Sequence, residues 1–230
     1  MNYAIILASG AGERTGLNVP KQFVLIENKS VLERSIEAFE NHSCIDKIIL
    51  VINPLFTDLV HEILAKNKYS KINKILTGGK TRQISSYIGV NAVEEQDAKV
   101  LIHDAARPFV SAKIINDCLK ALDKNNAVNV AIETSDTIIE VNENNIIKKV
   151  PDRKRLRRCQ TPQCFDINVI KKAHELAKKD GIDNITDDCG LILKYNLSDI
   201  YVVEGSVDNI KITYPIDLEI AKLILKKESN

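Results

Sequence analysis

Tyr3-Ala4-Ile5-Ile6-Leu7-Ala8-Ser9-Gly10-Ala11-Gly12-Glu13-Arg14, continued by Thr15 to Val19 and then Pro20-Lys21-Gln22, is the stretch that decides the fold. Its first six residues are an unbroken apolar run, the pattern of a strand buried on both faces. A Gly-rich loop follows at once and carries an Arg and a Lys. Glycine lets backbone N–H groups approach phosphate oxygens closely, and two cations there neutralise negative charge. A strand followed by such a loop predicts an α/β protein that handles a nucleoside triphosphate.

The pattern beyond the loop repeats the theme. Ser30 opens a helix with Glu33 three residues later, the spacing of a capping box, and Leu32, Ile36 and Phe39 supply its apolar face. Strands are expected at Lys47 to Ile52, Ile72 to Leu76, Val100 to Ile102 and Ala127 to Ile132, each separated from the next by a helical pattern. This rhythm implies a doubly wound, mostly parallel sheet with helices on both faces. It breaks after Ile132. Thr137 to Val141 and Ile146 to Val150 flank Asn142-Glu143-Asn144-Asn145 and read as a β-hairpin. Such an insertion has little of its own chain to pack on, so residues 134–158 are expected to form an arm that reaches another subunit. Helices are expected at Ile167 to Lys178, after Thr186, and at Pro215 to Lys227 capped by Thr213. Tyr201 to Val203 and Ile210 to Ile212 read as strands.

Composition narrows the function. The 230 residues suit one large domain with a full core. A net charge of +1 points to neither nucleic acid nor membrane. No apolar stretch is long enough to span a bilayer, and the N-terminus lacks the pattern of a signal peptide. Five cysteines without a CxxC pair read as reduced thiols, which suggests the cytoplasm.

Three phosphate-binding devices compete for the first loop. The dinucleotide fingerprint wants a third glycine where Thr15 stands, and an acidic residue closing the second strand where Asn53 stands. A Walker loop ending in Gly79-Lys80-Thr81 wants a glycine where Lys74 stands. A nucleotidyltransferase loop makes a longer excursion and holds cations inside it, which Arg14 and Lys21 satisfy. A plain Gly-rich turn with solvated charges is the remaining explanation.

Asp104 directly follows a strand, where open α/β sheets bind ligands. One carboxylate there suffices for Mg2+, which takes its other ligands from phosphates and water; capping of the following turn is the competing reading. His103 reads as structural. Gly78-Gly79-Lys80-Thr81-Arg82 and Ser85 lie between a strand and a helix, suited to a base, a sugar hydroxyl or a plain turn. The basic run Lys148, Lys149 and Arg153 to Arg158 lies next to the arm and could hold an anionic substrate across a dimer interface. It lacks interleaved aromatics for stacking RNA bases. It borders Thr161-Pro162-Gln163, which reads as a stiff turn. Lys211 sits on an expected strand from which a cation could reach a phosphate.

Taken together, Leu7 to Arg14 with Pro20-Lys21-Gln22, His103 to Pro108, Ser135-Asp136-Thr137, Gln160 to Gln163, Thr186-Asp187-Asp188 and Asp208 to Lys211 resemble the CTP-dependent polyol-phosphate cytidylyltransferases over nearly the whole chain. The resemblance implies a Rossmann-like nucleotidyltransferase fold whose β-arm makes a homodimer. It implies that Ala8, Ser9, Gly10, Gly79 and Ser85 hold the cytidine, and that Arg14 and Lys21 grip the triphosphate. It implies that Asp104 binds Mg2+ and Lys211 neutralises charge near the α-phosphate. Thr186, Arg107, Thr137 and Arg153 would reach the polyol phosphate, the last two from the partner's arm. The spacing from Gly10 to Lys21 and the double Ala of His103–Pro108 are similar to the isoprenoid branch, which acts on 2-C-methyl-D-erythritol 4-phosphate. The arm and the Thr186 segment are similar to the branch tied to surface polysaccharide, which acts on ribitol 5-phosphate. The acceptor stays open between them.

Overall fold

The structure is a computed structural model and describes residues 1–10 and 20–228, apart from the side chain of Glu228. Arg14 and the rest of the first loop's centre lie outside the described residues.

The expected rhythm is present. Strand β1 (Asn2–Ala8) is followed by a small ribbon of β2 (Leu25–Ile26) and β3 (Lys29–Ser30), then α1 (Val31–Glu40), β4 (Lys47–Ile52), α2 (Thr57–Lys66) and β5 (Ile72–Thr77). Helix α3 (Arg82–Asn91) crosses to β6 (Lys99–Asp104), and α4 (Ala112–Ala121) leads to β7 (Ala127–Glu133). The arm strands β8 (Glu140–Val141) and β9 (Ile147–Lys149) precede β10 (Arg157–Asp166), α5 (Ile167–Lys179), α6 (Asp188–Lys194), β11 (Tyr201–Glu204) and α7 (Ile216–Glu228).

The main sheet runs β11-β7-β10-β6-β1-β4-β5. Strand β1 pairs in parallel with both β4 and β6, so the winding reverses at β1. Among the described strands of this sheet, only β10 runs against its neighbours. Alternate residues of β1 feed two cores: Ala4, Ile6 and Ala8 pack with α1, α2 and α4, whereas Tyr3, Ile5 and Leu7 pack with α3, α5 and α6. The unbroken apolar run of β1 is thus the signature of a strand covered on both faces. The Ser30–Glu33 capping box forms as expected.

Three local expectations are corrected. Thr161-Pro162-Gln163 is not a turn but the middle of β10, where a cis Thr161–Pro162 bond and a register shift between Gln160 and Gln163 interrupt the pairing with β7. Proline lacks an N–H for the ladder and is accommodated at such an irregularity. Ile210 to Ile212 forms no strand; it is held by the Ile212 N–H donating to the Ala106 carbonyl at 2.8 Å. Thr213 does not cap α7 through its hydroxyl, which donates to the Lys211 carbonyl at 3.1 Å. The Asp217 carboxylate instead accepts from the N–H groups of Thr213 and Tyr214, both at 2.7 Å.

The arm is a two-stranded ribbon apart from the main sheet. Its turn is tied by the Asn142 side chain, which accepts from the N–H groups of Asn144 and Ile146 at 3.1 and 2.9 Å. Among the described residues no helix is long and apolar enough to cross a membrane.

Candidate active site

The carboxyl ends of β1 and β6 lie side by side, with Leu7 opposite Asp104. This is the switch point of the winding, where open α/β sheets form a crevice. A cavity of about 540 Å3 occupies it. Its walls are Leu7 to Gly10, the 3-10 turn at Lys21-Gln22, the loop Gly79 to Arg82, the segment Asp104 to Ala106, and Thr186 and Lys211.

Hydrogen bonds between loops shape one side of the cavity. The buried Gln22 amide donates to the carbonyls of Ala8 (3.1 Å) and Gly10 (3.0 Å), stitching the return of the first loop to the end of β1. The Ser85 hydroxyl is buried behind the wall. It shares a 2.8 Å hydrogen bond with Ser9, donates to the Thr81 carbonyl at 3.0 Å and accepts from the Gly79 N–H at 3.1 Å. The two loops are therefore joined through one hydroxyl. Glycine is required where they meet: a Cβ on Gly78 would overlap Ser9, and one on Gly79 would overlap Ile84.

The far wall is a chain of alternating charges. Lys211 Nζ donates to Asp104 Oδ2 at 2.6 Å, and Arg82 Nε donates to Asp104 Oδ1 at 3.0 Å. Arg82 Nη1 continues to Asp188 Oδ2 at 2.7 Å. Asp188 is buried and also accepts from Ser86 Oγ at 2.5 Å, with His174 Nε2 at 3.7 Å. Burial pushes the Asp104 carboxyl upward, but Arg82 and Lys211 outweigh it and hold the group well below the usual carboxylate range. Burial pulls the Arg82 guanidinium down, and the two carboxylates more than restore it.

His103 is structural, as expected. It is fully buried, and burial pulls its pKa down to about 4. Its Nε2 lies 2.9 Å from the Arg107 carbonyl, which can only accept. That leaves Nδ1 to accept from the Thr161 hydroxyl at 3.1 Å, and Thr161 Oγ1 accepts from the Asp104 N–H at 3.1 Å. Thr161 of β10 thereby ties the backbone at Asp104.

A family model described as 2-C-methyl-D-erythritol 4-phosphate cytidylyltransferase (IspD) matches residues 2–227. The chain belongs to this family. It is a nucleotidyltransferase that moves a cytidylyl group from CTP to the phosphate of a polyol phosphate. The 2-C-methyl-D-erythritol 4-phosphate cytidylyltransferase of Clostridium botulinum (strain Loch Maree / Type A3) is 41% identical over 226 residues, 98% of each chain. The bifunctional ribulose 5-phosphate reductase/CDP-ribitol pyrophosphorylase Bcs1 of Haemophilus influenzae is 40% identical over 233 residues. That match covers 100% of this chain and 49% of the Haemophilus protein, so this chain spans about half the length of that relative. A crystal structure of 4-diphosphocytidyl-2C-methyl-D-erythritol synthase from Anaerococcus prevotii DSM 20548 superposes with a TM-score of 0.86 at 31% identity, covering 98% of this chain and 96% of the other.

Of the residues expected to serve the cytidylyltransferase site, Ala8, Ser9, Gly10, Lys21, Gly79, Asp104, Thr186 and Lys211 line the one cavity. Ser85 stands behind it. The Arg107 guanidinium is turned to the backbone, donating to the carbonyls of Asn209 (2.8 Å) and Cys159 (3.4 Å). Thr137 and Arg153 are exposed on the arm, where Arg153 donates to the Ser135 carbonyl at 2.8 Å, and neither lines the cavity of its own chain. Sequence reasoning missed the roles of Arg82, Asn53 and Asp188. Asn53 lines the cavity and donates to the Ser9 carbonyl at 3.4 Å. In the sequence Arg82 and Asp188 stand in separate motifs, Gly78 to Arg82 and Thr186 to Asp188, and no local pattern shows that they meet.

A magnesium ion fits the donors present. Among the described residues no group of three or more His, Cys, Asp or Glu gathers as a metal site. Asp104 supplies one carboxylate on the cavity wall, the donor set that suits an ion completed by phosphate oxygens and water.

Proposed function

We propose that this enzyme transfers CMP from CTP to 2-C-methyl-D-erythritol 4-phosphate, as a cytoplasmic homodimer dependent on Mg2+. The observation that carries the site reading is the convergence of Lys21, Asp104 and Lys211, from three distant parts of the chain, on one cavity at the ends of β1 and β6. An acceptor phosphate oxygen attacks the α-phosphorus of CTP in line, and pyrophosphate leaves. The acceptor is already anionic, so no general base is required and catalysis is positioning with charge neutralisation. Lys211 neutralises the α-phosphate. Lys21 grips the triphosphate together with Arg14, which lies outside the described residues. The backbone at Ala8 to Gly10 and Gly79 receives the cytidine, with Ser85 joining the two loops of that wall. Asp104 would hold Mg2+, which when bound would supply charge neutralisation for the phosphates.

The acceptor side is assigned to Thr186 and Arg107, with Thr137 and Arg153 arriving from the arm, residues 134–158, of a second copy. The exposed apolar arm residues support this: Ile139 is 47% exposed, Ile147 56% and Val150 58%. A two-stranded ribbon is marginal alone in water, and these side chains gain from being covered. Five free thiols suit the cytoplasm.

A second acceptor, ribitol 5-phosphate, is favoured by the Haemophilus relative, whose name includes CDP-ribitol pyrophosphorylase and which matches this chain from end to end. Pyrophosphate release measured with 2-C-methyl-D-erythritol 4-phosphate, ribitol 5-phosphate and glycerol phosphate decides between them. The first acceptor is expected to give the highest kcat/KM. A ribitol 5-phosphate value tenfold higher would replace it. Sedimentation of Ile147→Asp is expected to give a monomer where the parent is a dimer.

A further inference from the structure

We infer that Asp188 is a positioning residue for cytidylyl transfer, acting through Arg82 to fix the carboxylate of Asp104 in the cavity. The inference rests on the reading of the cavity given above.

Arg82 bridges two carboxylates with separate edges of its guanidinium. Nε donates to Asp104 at 3.0 Å and Nη1 to Asp188 at 2.7 Å. The third nitrogen, Nη2, is buried with no hydrogen-bond partner among the described residues. In a guanidinium, Nη2 lies on the same edge as Nε, so the unmatched donor is on the Asp104 side of the group. An arginine pulled by Asp104 alone would turn that whole edge to the carboxylate and pair with it bidentately. Here it does not, because its other end is held. Asp188 is 1% exposed, its second oxygen accepts from Ser86, and its own N–H donates to the buried Gln163 side chain at 2.9 Å. Ser86 and Gln163 belong to α3 and β10, both packed in the core. Asp188 is thus an anchor with little freedom, and Arg82 is the strut between it and the cavity. The strut keeps Asp104 in single contact with Arg82, so that Oδ2 faces Lys211 and the carboxylate retains acceptor capacity toward the cavity.

The test uses Asp188→Asn and Arg82→Lys in the full chain, singly and combined. Lysine keeps the charge of Arg82 but cannot span two carboxylates with a rigid fork. Each single variant is expected to lose roughly 10- to 100-fold in kcat, the scale of an ångström-sized misplacement. The double variant is expected to lose no more than the worse single one within about threefold, because both break the same strut. Calorimetric binding of CTP in EDTA separates positioning from damage. Asp188→Asn removes a negative charge beside a site for a polyanion, so its CTP affinity is expected to equal or exceed the parent's, whereas a disrupted fold would weaken it. Asp188 is deeply buried, and if its variant fails to fold, Arg82→Lys decides alone, since that side chain is 23% exposed on the cavity wall. A kcat within threefold of the parent, multiplied losses in the double variant, or a CTP affinity that falls as far as kcat would overturn the inference. Lys21→Ala and Lys211→Ala run alongside: normal turnover in those two sinks the site reading itself, while their failure with normal Arg82→Lys turnover sinks only the strut.

Discussion

Removing the Lys211 side chain separates catalytic from structural roles more cleanly than any other single change. The backbone that carries it is held independently. The Ile212 N–H donates to the Ala106 carbonyl at 2.8 Å, and the Asn209 amide donates to the Thr161 carbonyl at 2.9 Å. Lys211→Ala therefore leaves the segment in place. The side chain is 37% exposed, so its stem covers little core, and Arg82 still faces Asp104. Screening by solvent limits the lost ion pair to about 1 kcal/mol. On a chain of this size that lowers Tm by roughly 2–4 °C. The loss at the reacting phosphate is larger: removal of one preorganised charge donor in a partly dry site costs about 10²–10³ in kcat, or about 2.7–4 kcal/mol. The assay is steady-state pyrophosphate release at saturating CTP and acceptor, with a thermal melt of the same preparation. A rate loss below tenfold refutes the assignment of Lys211 to the α-phosphate. A Tm drop above about 10 °C refutes the claim that its backbone is independently held.

Asp104→Asn leaves Lys211 and Arg82 facing a neutral amide, and is expected to cost about 3–5 kcal/mol in stability with nearly all activity lost, read by denaturant unfolding and pyrophosphate release. The Asp104 carboxyl is held below its ordinary value, so its contribution is complete above the unfolded carboxylate pKa of about 3.9 and is lost as pH falls below it. The Tm difference between parent and Asp104→Asn is thus expected to be constant near neutrality and to shrink below about pH 4. Gln22→Ala leaves the Ala8 and Gly10 carbonyls without their shared donor; about 1–3 kcal/mol of stability and a KM for CTP raised about tenfold are expected, with kcat less affected. Arg153→Ala is expected to raise KM for the polyol phosphate while KM for CTP stays within about twofold and Tm within about 1 °C, as suits an exposed arm residue.

How much of this was legible in the sequence follows the range of the interactions involved. The strand–loop–helix order around β1, the capping box at Ser30 and the separation of the arm depend on neighbours within one or two turns of chain, and their patterns survive in the sequence. Thr161-Pro162-Gln163 was misread because its residue types favour turns; the two flanking strands β6 and β7 override that preference and keep the segment in the sheet. Ile210 to Ile212 alternates like a strand, yet its packing is set by the Ala106 carbonyl and by α7, neither visible locally. The charge chain was the least legible. Arg82 meets Asp104 across 22 residues and Asp188 across 106, and no periodicity encodes either contact. Gly78-Gly79 is the conspicuous part of its motif in sequence, while Arg82, three residues on, does the electrostatic joining.

The charge chain also explains why a site built for a polyanion is not simply a pocket of cations. Lys211 and Arg82 without carboxylates between them would repel each other across a few ångströms in a partly buried wall, an arrangement costly to fold. Asp104 and Asp188 interleave with them and bring the formal charge of the four groups to zero. A triphosphate entering the cavity competes with Asp104 for the same two cations, so part of its attraction is offset by the pair it loosens. The competition is graded by exposure: Lys211 is 37% exposed and bound to one carboxylate, whereas Arg82 is 23% exposed and bound to two. On the proposed reading, Lys211 is the cation that transfers its contact to phosphate, and Arg82 is the one that stays. On the same reading, the buried Asp188 is the deeper anion that tells the fixed charge, Arg82, from the movable one, Lys211.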